Sequence, residues 1–100
     1  MAFVKVLEVD DLPTGQGTTV TIGGRDYGVF HVGEEFYCID NACPHHDGPL
    51  GEGDLEDDVV ICPWHAWQVN VKTGEVLYAS HFCVATYPCK AEEGAVWINV

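Results

Sequence analysis

A chain of 100 residues with 47% apolar side chains can build one modest core and not two. Sixteen acidic residues against four basic ones leave a net charge of −12, which repels phosphate and argues against nucleic acid as a partner. No run approaches the ~20 apolar residues of a membrane span, so no membrane partner is expected.

In chain order, short runs of β-branched and aromatic residues recur, punctuated by glycine and charge. FVKVLEV, TTVTI, YGVFHV, EFYCID, DVVIC, WQVNV, EVLYA, VATYPCKA and AVWINV are the predicted strands. GGRD and GEE read as the hairpin turns that separate the second, third and fourth, and KTGE separates WQVNV from EVLYA. No segment carries a sustained 3.6-residue apolar period with caps, so almost no helix is expected. The fold class is therefore all-β, an antiparallel barrel or sandwich, with the whole of residues 1–100 as one domain.

Between the fourth and sixth runs lie two short segments, NACPHHDGPL and VICPWHAWQV. Cys43 and His45 stand as Cys-x-His, and Cys62 and His65 follow sixteen residues later as Cys-x-x-His. Two soft thiolates and two imidazoles form a metal-ligand set rather than a packing pattern. Each pair sits on a Cys-Pro step, where proline restricts the loop. If the pairs converge, they can hold a [2Fe–2S] cluster, the cysteines on one iron and the histidines on the other. The ligand segments fall within about residues 41–71, which reads as a small cluster-binding lobe on a larger β base. Metal bound at two loop tips would also tie that lobe together. The same donors could instead bind zinc as a structural staple, although the helix of a zinc finger is missing.

Cysteine usage fits a reducing compartment. Five cysteines cannot all pair internally. Beyond the motif, Cys38, Cys83 and Cys89 fall in strand-like runs and read as small hydrophobes. The opening MAFVKVLEVD lacks a signal-peptide core, and a cytoplasmic location is expected.

Cys43-Pro44-His45 with Pro49-Leu50, then Cys62-Pro63-Trp64-His65 with Thr73-Gly74 beyond, resembles the Rieske ferredoxin family. LGEGDLEDDVVICPWH and TGEVLYASHFCVATYPCKAEEGAVWINV are most similar to the ferredoxin components of bacterial ring-hydroxylating dioxygenases. The resemblance implies a Rieske fold with its cluster lobe, and a soluble one-electron carrier. Its partners would be a flavin-containing reductase and a terminal oxygenase, with no enzyme activity of its own and a monomeric state. It also implies that the histidine-bound iron is the outer one, where the electron enters and leaves. The small Rieske subunit of an NAD(P)H-dependent nitrite reductase is the alternative with similar length and fold.

Mixed ligation has an electrostatic consequence. With neutral histidines the core charge is roughly zero, against about −2 for a four-cysteine cluster, so the potential rises. Oxidation makes the iron more electron-withdrawing and lowers the pKa of each free imidazole nitrogen, so the potential is expected to fall with pH in the alkaline range. In the Rieske subunits of quinol-oxidising complexes, two further cysteines form a disulfide, and a serine and a tyrosine donate to the cluster sulfurs. Gly48 and Trp64 stand at those cysteine positions here, and Trp67 and Val69 at the hydroxyl positions. Fewer donors favour a low potential, roughly −150 mV within the Rieske range. Ala66 and Val69 depart from the usual glycine and phenylalanine of the ferredoxin pattern.

His46 is expected at the surface, and His31 and His81 read as structural or solvent-facing. Trp64 and Trp67 flank the second ligand pair and would shield the cluster, meet a partner or pack on the base. Glu52, Asp54, Glu56, Asp57 and Asp58 join the two ligand segments and read as a docking surface or a solvated turn. No nucleophile with an adjacent base, phosphate loop or paired carboxylate appears.

Overall fold

Branched and aromatic residues favour extended backbone, and the turns between them decide which strands meet. The computed structural model describes residues 3–41, 49–64, 67–77 and 82–100. Among the described residues the first half supplies β1 (Phe3–Glu8), β2 (Gln16–Ile22), β3 (Arg25–Val32) and β4 (Glu35–Asp40). Three short strands follow, β5 (Asp54–Glu56), β6 (Val59–Ile61) and β7 (Gln68–Asn70). The chain closes with β8 (Thr86–Tyr87), β9 (Cys89–Glu92) and β10 (Ala95–Asn99). Single 3₁₀ turns at Val9–Asp11 and Leu50–Glu52 are the helical structure described, in keeping with the expected absence of helix.

All pairings are antiparallel and build three sheets, ordered β1-β10-β9, β2-β3-β4-β8 and β5-β6-β7. The β2–β3 hairpin turns on Gly23 and Gly24, both at positive φ (59° and 82°), which fits the right-handed twist of the flanking strands.

Alternation along β3 and β4 explains how the sheets stack. Tyr27, Val29, Phe36 and Cys38 face one apolar cluster, which they share with Leu12 and with Val96 and Ile98 of β10. Phe30 and Ile39, one residue out of phase, face a second cluster with Leu50, Val60, Cys62, Val69, Val71, Val76 and Val84. The central sheet is thus covered on both faces: the β1-β10-β9 sheet packs on one side and the β5-β6-β7 lobe on the other. Each fully buried aliphatic or aromatic side chain stabilises this arrangement by about 1.5–3 kcal/mol.

Three local readings change. VATYPCKA is not one strand. Thr86 and Tyr87 pair with β4, whereas the chain from Cys89 pairs with β10. Pro88 makes the break because it has no N–H for a ladder, and its carbonyl accepts from Asn99 N at 2.9 Å. EVLYA is not a regular strand either. Glu75 and Val76 form isolated bridges to Cys83 and Val69, with Leu77 in a turn; Tyr78 and Ala79 lie outside the described residues. Its backbone divides its bonds between β7 and the 82–84 segment, so neither ladder extends. Finally, part of the acidic run is a strand: Asp54–Glu56 pairs with Val59–Ile61, turning on Asp57 at φ 54°.

Candidate metal centre

A four-donor site built from two loops requires their bases to be fixed side by side. Cys62 follows β6 and is 1% exposed, packed in the same apolar cluster as Leu50, Val60 and Val69. Its amide donates to the Trp67 carbonyl at 2.8 Å, closing the segment 63–66 that carries His65. Pro63 occupies that segment without an amide to satisfy.

The first segment leaves the end of β4 through Asn41, which is 6% exposed. Leu50 N donates to the Asn41 carbonyl at 2.8 Å, and Gly51 N donates to Asn41 Oδ1 at 2.7 Å. Asn41, before the Cys43–His45 motif in sequence, is therefore joined directly to Leu50 and Gly51, which follow it. Leu50 buries fully in the cluster that also holds Cys62, and Glu52–Asp54 line one groove with Ile61–Trp64. The two motif segments thus start from neighbouring points.

Of the sequence-identified ligands, Cys62 is described and is buried within the apolar cluster. Cys43, His45 and His65 lie outside the described residues, as do His46, Gly48, Ala66 and His81. The donors fit a [2Fe–2S] group on their chemistry: soft sulfur at a buried, water-poor position, with imidazoles in the partner half of each pair.

The surroundings of Cys62 are apolar. Val69 is fully buried, paired with Val60 and bridged to Val76, and its side chain offers no hydrogen-bond donor. Trp67 is half-buried against the cluster, its ring 5.5 Å from that of Phe82. Trp64 is 60% exposed, so its ring does not pack into the base. His31 has a structural place: Nδ1 lies 2.7 Å from the Leu12 carbonyl, and the ring stacks on Phe36 at 4.0 Å.

Charge is distributed unevenly. Between Arg25 and Lys72 there is no lysine or arginine, and that stretch contains the whole lobe and both ligand segments. The four basic residues are each engaged elsewhere: Lys5 with Glu8, Arg25 with Asp40, Lys90 with Glu92, and Lys72 over the Tyr37 ring. The hydrogen bond that Arg25 donates to Asp40 pushes the Arg25 pKa up further. Glu52, Asp54, Glu56 and Asp57 are exposed, so the acidic run is a charged surface beside the ligand loops.

Asn41 was not legible as a site residue. Its only signal was a polar residue at the exit of an apolar strand, two positions before Cys43.

Residues 2–88 match the model of the Rieske [2Fe-2S] domain. The chain is 35% identical over 98 residues to the ferredoxin component of the alkene monooxygenase system of Xanthobacter autotrophicus, covering 97% of this chain and 80% of that protein. A chain in the complex of reduced oxygenase and oxidized ferredoxin in carbazole 1,9a-dioxygenase superposes with a TM-score of 0.87 at 30% identity, covering 96% of this chain and 91% of that one. The small subunit of a putative NADPH nitrite reductase superposes at 0.86 over 100% of both chains, but at 22% identity it shares the fold alone. The mixed cysteine–histidine motif, the three-sheet β fold and these matches together define an iron–sulfur protein. The chain belongs to the Rieske [2Fe-2S] domain family, and its cofactor is a Rieske-type [2Fe–2S] cluster.

Proposed function

We propose that Cys43 and Cys62 bind one iron and His45 and His65 the other, and that this domain, residues 1–100 with its lobe at about 41–71, is a cytoplasmic one-electron carrier. A flavin-containing reductase supplies the electron and a terminal oxygenase of the aromatic-ring dioxygenase type accepts it. The chain itself performs no substrate chemistry and works as a monomer. When bound, a cluster of this type takes up and releases one electron at a time. The protein's part is to hold the loops, keep water from the thiolate side, and present the other side to partners.

The observation that carries this reading is the joint anchoring of the two motif segments above one apolar cluster, with Cys62 buried and Trp64 exposed beside it. Sequence identity favours the oxygenase role over the nitrite reductase role, because the former is matched above 30% along nearly the whole chain.

Visible and EPR spectra of anaerobically purified protein, before and after dithionite, test it. A red-brown protein whose reduced form gives a rhombic signal of low average g is the expected result. A colourless, EPR-silent protein carrying zinc would leave a structural metal domain in its place. Co-purification with a large reductase subunit would favour the nitrite reductase role.

A further inference from the structure

We propose that Asn41 is the positioning residue of the first ligand loop, setting where Cys43 and His45 stand relative to Cys62 and His65. This rests on the ligand assignment above.

Asn41 is the buried polar residue of the described core, and it sits where β4 ends and the loop begins. It spans the loop with two different groups. Its own carbonyl accepts from Leu50 N at 2.8 Å, and its side-chain Oδ1 accepts from Gly51 N at 2.7 Å. A chain leaving at residue 41 is thereby returned to residues 50 and 51 at a fixed separation.

The surroundings leave little freedom to do this otherwise. A Cβ at Gly51 would strike Thr19 Oγ1, and would lie 2.8 Å from both Asn41 Oδ1 and the Thr19 backbone neighbour Thr18 C. Only glycine lets this backbone approach so closely. Thr19 Oγ1 stands 3.2 Å from Asn41 Oδ1 and 2.9 Å from Glu52 Oε2. Its single proton serves one of them, and the closer carboxylate is the stronger acceptor. The Gly51 amide is then the donor that fixes Oδ1.

The same clamp reaches the second loop through packing. Leu50, held by the Asn41 carbonyl, shares its apolar cluster with Cys62. Loosening residue 41 therefore changes one ligand pair's position against the other, which is the geometry a two-iron cluster must have. Groups one layer behind the ligands commonly alter metal affinity by about 10–100-fold when removed.

The test compares holoprotein variants: Asn41→Leu, which keeps size and loses the acceptor; Asn41→Asp, which keeps Oδ; and Val96→Ala, which opens the other core, in β10. The rate of bleaching with a ferrous chelator, the EPR line widths after dithionite, and the melting temperature are read together. Asn41→Leu is expected to lose its cluster about tenfold faster, with broadened lines, and Asn41→Asp to stay close to wild type. Val96→Ala is expected to lower the melting temperature without broadening the lines. Asn41→Ser, whose oxygen is too short to reach Gly51, carries the same expectation if Asn41→Leu fails to accumulate. Sharp lines and wild-type bleaching in Asn41→Leu, or in Asn41→Ser where that stands in for it, would overturn the proposal while leaving the ligand assignment intact. A wild-type protein without the Rieske signal would overturn the assignment and the proposal with it.

Discussion

The amide of Cys62 lies 2.8 Å from the carbonyl of Trp67, so the proposed ligand and the residue that ends its loop are joined by one backbone bond. That bond helps to hold Cys62 in the apolar cluster it shares with Leu50, Val60 and Val69. Replacing Cys62 with serine keeps the size and removes the soft thiolate. The expected result is a colourless protein with little bound iron, whose lobe amides exchange faster while β1, β9 and β10 keep their protection. Iron analysis and hydrogen exchange read these separately. Retention of the visible spectrum would remove Cys62 from the ligand set.

Gly74 and Val84 bring their backbones close together in the segment after β7. Gly74 has φ +81°, donates to the Asn70 carbonyl at 2.7 Å, and accepts from Val84 N at 2.8 Å. A Cβ there would strike the Val84 carbonyl oxygen. Gly74→Ala is expected to cost about 2–4 kcal/mol, combining a disfavoured backbone conformation with a contact that must be relieved. Urea denaturation would show it as a lower midpoint at unchanged slope. A shift below about 0.5 kcal/mol would mean the loop yields freely.

Much of this structure was legible from local chemistry. The alternation Tyr27-Gly28-Val29-Phe30 and the Gly23-Gly24 turn specify a hairpin through short-range rules, and β2, β3 and β4 follow them. The four metal-ligand types at their spacings were likewise visible without a fold. The switch at Pro88 was not, because an apolar run does not say which of two sheets each half will join. The strand at Asp54–Glu56 was hidden by its charges. A short exposed strand needs only one inward residue, Leu55, which packs against the lobe cluster. The clamp by Asn41 depends on residues 50 and 51 returning to β4, a tertiary event that residue type alone does not announce.

Cys38 and Cys89 make an alkaline-stability prediction. Burial, and for Cys38 also its neighbours Cys89 and Asp40, pushes each thiol pKa up to about 12. In the unfolded chain both would ionise in the ordinary thiol range. Above that range the unfolded state sheds protons that the folded state retains, so this stability is fully present below the ordinary thiol range and is lost as pH rises from there toward about 12. Denaturation midpoints should decline over this window, and less steeply in Cys38→Ala. Native labelling with iodoacetamide at about pH 8 should reach exposed Cys83 and spare Cys38 and Cys89. Labelling of Cys38 in the folded protein would show that its burial is transient.

The cation-free stretch from Asp26 to Val71 makes a kinetic prediction. A negative surface around the ligand loops speeds encounter with a positively charged acceptor and slows it with a negative one, and salt weakens both effects. Electron transfer to cytochrome c, a basic acceptor, should therefore slow by about tenfold between low and about 0.5 M salt. Neutralising Glu52 and Asp54, which line the groove beside Cys62, should slow it more than neutralising Asp10 and Glu93. The second pair flanks the Val9–Gly94 hydrogen bond, which joins the 3₁₀ turn after β1 to the β9–β10 turn, and removes the same total charge. Equal effects from both pairs would show that net charge alone governs the encounter. Trp64, 60% exposed, contributes contact rather than charge. Trp64→Ala should lower the rate by about fivefold at high and low salt alike, with the melting temperature nearly unchanged, as expected for a side chain that packs on a partner and not on the base. A wild-type rate in Trp64→Ala would place the contact elsewhere on the loop surface.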